Sequence, residues 1–259
     1  KTSLCTLGTY RLSPFTSSCS QKPASFMTAK TTSDLPPVFV ALDMSEADVA
    51  PLMGALDGLN VGYKIGMELF YQSSASLVRK LAADHPVFLD LKLHDIPNTV
   101  RSAASRIADL GVRVTTVHAA GGAAMLEPLP ALERDDFQFL AVTVLTSMSS
   151  DDLAGLGVVD TSPAGRVKRL FDLARSSGIT GYICSPLEVS SLHADLPTGT
   201  FITPGVRPSG ADLNDQNRVA TPAQAMSNGA TSLVIGRPIT QASDPRAAAQ
   251  AILDELAYG

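Results

Sequence analysis

A single (β/α)8 barrel over residues 36–259 is the fold class this sequence predicts, and three observations point to it. Eight short Val/Ile/Leu-rich runs recur from residue 38 onward. Each is followed by a stretch in which apolar residues return at helical spacing. The turn after the first run, in "VFVALDMSEAD", has no glycine, whereas an open doubly wound sheet that grips a dinucleotide places GxGxxG there. Near-continuous apolar strands alternating with helices mean a parallel sheet covered on its outer face. Eight such strands can close on themselves within 259 residues.

Taken in order, the runs are "VFVALD" (38–43), "VGYKIG" (61–66), "VFLDLKL" (87–93), "VRVTTVH" (112–118), "FQFLAVTVLT" (137–146), "GYICS" (181–185), "TFITPG" (200–205) and "SLVIG" (232–236). The helices between them carry their own punctuation. "SEADVAPLMGALDG" opens on Ser45 as N-cap and closes near Gly58, and "DPRAAAQAILDELA" has Asp244 as cap with Pro245 at the first helical position. In barrels the catalytic groups stand at the C-terminal ends of the strands and in the loops beyond. Those ends are Asp43, Lys64, Asp90 with Lys92, His118, Thr146 with Ser147, Ser185, Gly205 with Arg207, and Gly236 with Arg237.

Composition narrows the partners. The chain is 45% hydrophobic and 17% charged, with a formal charge of −5 and no basic stripe, which argues against a nucleic-acid partner and for a small ligand. No apolar run approaches the ~18 residues of a membrane span. Cys5, Cys19 and Cys184 make no disulfide framework, and His85, His94, His118 and His193 have no metal-ligand spacing, so a tight transition-metal site is not expected. A reducing compartment, the cytoplasm, suits that cysteine usage. Residues 1–33 hold four of the 20 bases, none of the 25 acids, and many Ser and Thr. Residues 1–35 are therefore set apart from the fold, as an upstream extension with Met27 as natural start or as an organellar transit segment.

Side chains at i and i+2 of a strand share a face, roughly 6.8 Å apart, so Asp90 and Lys92 are expected to point together into the barrel. A buried ion pair costs several kcal/mol per ion in desolvation and is weak grounds for stability. With Lys64 and Asp43 at the same mouth, alternating charges converge, and a reactive site accounts for them better. Ammonium and carboxylate groups alone suit proton transfer beside a developing charge. A Schiff-base lysine fits poorly, because flanking carboxylates raise the lysine pKa that such chemistry needs lowered.

At the other end of the site, "TPGVRPSG" follows the seventh strand and "VIGRPIT" the eighth, where barrels commonly bind phosphate. Arg237 supplies a fork of donors for two phosphate oxygens. The stretch from Pro204 to about Thr221, rich in Gly, Asn, Asp and Ser, reads as a lid. His94 and His118 read as local loop holders, Cys184 as a small core residue, and the Met and Phe of "GMELF" as core.

The elements "ALD", "YKIG", "DLKLHDIPNT", "VTVLTSM", "TPGVR" and "VIGRPIT", in this order over residues 37–257, resemble those of orotidine 5′-monophosphate decarboxylase of the bacterial type. That resemblance implies a homodimeric (β/α)8 barrel that converts orotidine 5′-monophosphate to UMP without metal or cofactor. It also implies the roles. Lys92 protonates C6 as carbon dioxide leaves, and Asp90 sits against the departing carboxylate. Lys64 and Asp43 bind ribose hydroxyls and complete the charged array. Asp95, with Ile96 and Thr99, reaches the partner's active site. Thr146 and Ser149 face the base, and Arg207, Gln216, Gly236 and Arg237 the phosphate, with Asn214 or Asn217 able to replace Gln216. DxKxxD also occurs in Mg²⁺-dependent barrels acting on sugar phosphates, which resemble one another in a second-strand glutamate; here that position is Lys64. A catalytically silent nucleotide- or phosphate-binding barrel is the third reading, which intact Asp90, Lys92 and Asp95 disfavour.

Overall fold

The computed structural model describes residues 35–159, 162–207 and 220–258. Eight strands, β1 (Val38–Ala41), β2 (Val61–Gly66), β3 (Val87–Leu93), β4 (Val114–His118), β5 (Gln138–Val142), β6 (Gly181–Ile183), β7 (Thr200–Pro204) and β8 (Ser232–Ile235), form a closed barrel in sequence order. Every neighbouring pair is parallel, and β8 closes the ring on β1 through Val38↔Leu233, Phe39↔Val234 and Val40↔Ile235. Helices α1 (Glu46–Ala55), α2 (Met67–Ala82), α3 (Pro97–Ala108), α4 (Ala123–Leu126) and α5 (Ser150–Gly155) come from the first half. Helices α6 (Pro163–Ser176), α7 (Val189–Asp195), α8 (Pro222–Ser227), α9 (Arg237–Thr240) and α10 (Pro245–Tyr258) follow. None of the described helices is long and apolar enough to cross a membrane.

The expected caps divide. Ser45 holds the position before α1, but its hydroxyl donates to the Asp48 carboxylate at 2.6 Å and caps no backbone amide, and Gly58 turns the chain with φ 76°. Asp244 does cap, accepting the amide of Ala247 at the start of α10, where Pro245 needs no partner for its nitrogen. In "GMELF" the apolar spacing is only partly core. Leu69 is fully buried and Phe70 partly so, but Met67, at the first position of α2, is 46% exposed. The expectation for Met67 is thus corrected: it lies on the open side of its helix.

Two layers divide the apolar residues. Outward-facing strand residues such as Val38, Val40, Tyr63, Ile65, Val87 and Leu89 join the buried faces of the helices in one large cluster. Inside the barrel, Phe39, Phe88, Leu140 and Ile202 from the alternate strands β1, β3, β5 and β7 pack with Val114 of β4, and Leu35 and Val234 lean on them. Phe39 and Phe88 meet edge to face with centroids 5.7 Å apart. This layer plugs the barrel, and the next inward positions are lifted toward the C-terminal mouth.

Gly62 is where that plug is tightest. A Cβ there would lie 2.6 Å from the Phe39 ring and 2.7 Å from the backbone oxygen of Pro86, which already accepts the Tyr63 amide at 3.0 Å. We expect Gly62→Ala to destabilise the fold by about 1–3 kcal/mol, the usual cost of overpacking. Urea unfolding checks this, and a midpoint equal to wild type would show that the layer can give way.

Of the proposed leader, residues 1–35, residues 1–34 lie outside the described residues. The barrel already involves Leu35 and Pro36, since Ser232 donates its hydroxyl to the Pro36 carbonyl at 2.7 Å.

Candidate active site

At the C-terminal mouth a cavity of about 290 Å³ opens above the plug. Strand alternation determines its walls: two residues on from the plug come Ala41, Asp90, Val142 and Pro204, with Lys64, Ile183 and Val234 completing the ring. One charged flank, at the ends of β1, β2 and β3, carries Asp43, Lys64, Asp90 and Lys92, while Arg207, Gly236 and Arg237 follow β7 and β8.

The charged flank consists of two ion pairs. Lys64 donates from Nζ to Asp43 Oδ1 at 2.9 Å, its side chain 9% exposed against 57% for the aspartate. Asp43, on the solvent side of the mouth, supplies the counter-charge that a buried ammonium needs. Lys92 donates from Nζ to both carboxylate oxygens of Asp90, at 2.9 and 2.8 Å. Gly66 stands beside Asp90 in the β2–β3 register, and a Cβ there would come 3.0 Å from both Asp43 Oδ1 and Lys64 Nζ. The glycine leaves room for the two pairs to stand side by side.

Plain strand alternation does not explain how Asp90 and Lys92 meet. The β3–β4 pairing runs Phe88↔Val114 and Leu89↔Thr115, then jumps to Leu93↔Val117. Lys92 has φ 51°, a left-handed backbone that a residue with a Cβ rarely adopts. The pair therefore sits on a bulge, the device by which sheets re-aim a side chain near a site.

Behind it, the rings of His94 and His118 lie 5.3 Å apart. Burial, then the neighbouring His94 and Lys92, hold the His118 imidazole below its ordinary pKa, with Asp90 pulling the other way. A neutral imidazole adds no second cation beside Lys92. Cys184 lines the wall as a buried thiol whose pKa is pushed up by burial first and by Glu188 next, so it is an inert apolar surface, in keeping with its reading as a small residue of the interior.

The other expected site residues divide clearly. Thr146, Arg207, Gly236 and Arg237 line the cavity with the charged four. Ser149 does not: it caps α5, accepting the Asp152 amide at 3.2 Å while its own hydroxyl and amide donate to the Asp152 carboxylate. Asp95, Ile96 and Thr99 are exposed at the start of α3 and are absent from this chain's own cavity wall, and Asp95 Oδ1 accepts the Ile96 amide at 2.7 Å. Gln216, Asn214 and Asn217 lie outside the described residues, as does most of the expected lid. Thr240 and Gln241 also line the cavity, one turn beyond the "VIGRPIT" arginine. Motif reading passes over them, and over Thr116, although counting back by two from His118 along β4 places Thr116 on the inward face.

The family model for "Orotidine 5′-phosphate decarboxylase / HUMPS family" matches residues 36–252. The chain belongs to that family. Among its relatives is an orotidine 5′-phosphate decarboxylase of Sphingopyxis alaskensis, 46% identical over 218 residues, which are 83% of this chain and 97% of that one. Another, of Cutibacterium acnes, is 43% identical over 87% of this chain and 98% of its own length. In three dimensions the chain is similar to the crystal structure of orotidine 5′-phosphate decarboxylase from Lactobacillus acidophilus, with a TM-score of 0.76 and 40% identity over 85% of this chain and 99% of that one. An uncharacterised conserved protein from Geobacillus kaustophilus has a TM-score of 0.73 and 32% identity, over 85% of this chain and 100% of its own. The matched span includes every strand and both ion pairs of the mouth.

Proposed function

We propose that this protein decarboxylates orotidine 5′-monophosphate to UMP, the last step of de novo pyrimidine nucleotide synthesis, and does so without a metal. The carrying observation is that Lys92, bonded to both oxygens of Asp90, and Lys64, bonded to Asp43, border one barrel-mouth cavity in a chain of this family. Arg237 and Arg207 with Gly236 take the phosphate, Thr146 faces the base, and Lys64 and Asp43 bind the ribose hydroxyls.

The chemistry follows from where the ammonium lies. As the bond from C6 to the carboxylate breaks, its electron pair stays on C6 and carbon dioxide departs. Lys92 stabilises that charge and passes a proton from Nζ to C6, leaving a neutral amine that solvent reprotonates. Asp90 faces the substrate carboxylate. At ~4 Å and an effective dielectric of ~20, their repulsion is at most about 4 kcal/mol, or roughly three decades of rate. Enzymes reach up to ~10¹⁷-fold, so repulsion is not the whole account, and Lys92 adds to it both by stabilising the carbanion and by donating the proton. Phosphate contacts remote from C6 supply binding energy for closing the site.

The family also includes the HUMPS branch, and a Mg²⁺-dependent reaction on a sugar phosphate is the second reading. Against it stands Lys64, an ammonium already bonded to Asp43 where a cation-binding carboxylate is needed. The test is the loss of absorbance on adding orotidine 5′-monophosphate to the purified protein in excess EDTA. We expect turnover; activity only with Mg²⁺ and a sugar phosphate would transfer the chain to the second reading.

The dimer belongs to this proposal as well. Ile96 is 67% exposed beside exposed Asp95 and Thr99, a surface suited to entering a second copy's site.

A further inference from the structure

One buried hydroxyl touches both members of the Lys92–Asp90 pair. Thr116 of β4 is 0% exposed, accepts the backbone amide of Lys92 on Oγ1 at 2.9 Å, and donates to Asp90 Oδ1 at 2.9 Å. The directions are forced: an amide can only donate and a carboxylate only accept, so the hydroxyl's one proton goes to Asp90 and its lone pair to Lys92.

We infer that Thr116 is a positioning residue, which fixes the bulged backbone of Lys92 and the carboxylate of Asp90 so that the ammonium meets the reacting carbon. The inference rests on the decarboxylase reading above for its kinetic consequence. Between Leu89↔Thr115 and Leu93↔Val117, β3 advances four residues while β4 advances two, and the regular ladder lapses across the stretch that contains Asp90 and Lys92. Side chains of β4 take over. Thr115 donates to the Leu89 carbonyl at 2.8 Å, and Thr116 accepts the Lys92 amide. Lys92 thereby keeps its left-handed backbone at φ 51° without a buried, unpaired amide. Asp90 in turn has Oδ1 held by both Thr116 and Lys92 Nζ, and Oδ2 by Lys92 Nζ. Its plane is thus set by the barrel wall as well as by the lysine it orients. Misplacement of a reacting group by about 1 Å can cost ~10²-fold in rate, which is why a bulge at this point needs such a clamp.

The test compares Thr116→Val, which keeps the shape and removes both bonds, with Thr116→Ser, which keeps the hydroxyl. Thr115→Val is the control, since that hydroxyl serves the backbone away from the charges. We expect Thr116→Val to lower kcat roughly ten- to a hundredfold while KM stays within about threefold. Thr116→Ser and Thr115→Val should keep kcat within about threefold per folded site. Hydrogen exchange of the Lys92 amide in the ligand-free protein should quicken at least about tenfold in Thr116→Val alone. If the valine variant does not fold, Thr116→Ala is read in the same way. Values of kcat and Lys92 exchange both within twofold of wild type would overturn the inference. Because exchange needs no substrate, altered exchange in a protein that leaves orotidine 5′-monophosphate untouched would sink the decarboxylase reading and not the clamp.

Discussion

Lys92→Ala is expected to lower the turnover of orotidine 5′-monophosphate by about 10⁵-fold or more, the largest effect of any single change in this barrel. Two losses combine. Removing the ammonium takes away charge stabilisation at C6 that, by the same arithmetic of ~4 Å and a dielectric of ~20, is about three decades. Removing the proton donor takes away general acid catalysis, typically another 10²-fold or more. Asp90 loses Nζ from both of its oxygens and retains Thr116, so a carboxylate only 14% exposed faces the substrate carboxylate without its counter-charge. Affinity for orotidine 5′-monophosphate should fall further than affinity for UMP, which has no carboxylate for Asp90 to repel. Single-turnover kinetics and calorimetry with both nucleotides read the two effects separately. Turnover within a hundredfold of wild type would remove Lys92 from the chemistry.

The particulars of that pair also mark how far the sequence could be read. All eight strands were legible because each is buried on both faces, and buried strands need unbroken apolar runs. Their ends were less so. The fifth run extends to Thr146, but the strand stops at Val142, since Val144 and Leu145 stay apolar to line the cavity and not to join the sheet. Likewise Val112 is buried below the start of β4 without belonging to it. Convergence of Asp43, Lys64, Asp90 and Lys92 was legible from their place at strand tips. The bulge was not, because no glycine or proline announces it and Lys92 itself adopts the left-handed backbone. Ser149 shows the reverse: with Asp152 three residues on it carries a capping signature, and in the fold it caps α5 and does not line the site.

Asp95 gives the second large effect, and the one that bears on assembly. In the proposed dimer each site takes Lys92 from one subunit and Asp95 from the other, so loss of the Asp95 carboxylate beside Lys92 should cost roughly 10³-fold by the same Coulomb estimate. Mixing inactive Lys92→Ala with inactive Asp95→Ala subunits then makes a sharp test. In a heterodimer, the site built on the Asp95→Ala chain has its own Lys92 and receives an intact Asp95 from the other chain, whereas the second site lacks both. With random exchange half the dimers are mixed and one site in each is whole, so activity should recover to roughly a quarter of wild type per subunit. Were Asp95 to act within its own chain, neither site of the heterodimer would be whole and mixing would restore nothing. The exposure of Asp95, Ile96 and Thr99 on a single chain, away from the cavity that its own Lys92 borders, favours recovery. No recovery after subunit exchange has been verified by mass would mean that Asp95 acts within its own chain and that the site is complete within one barrel.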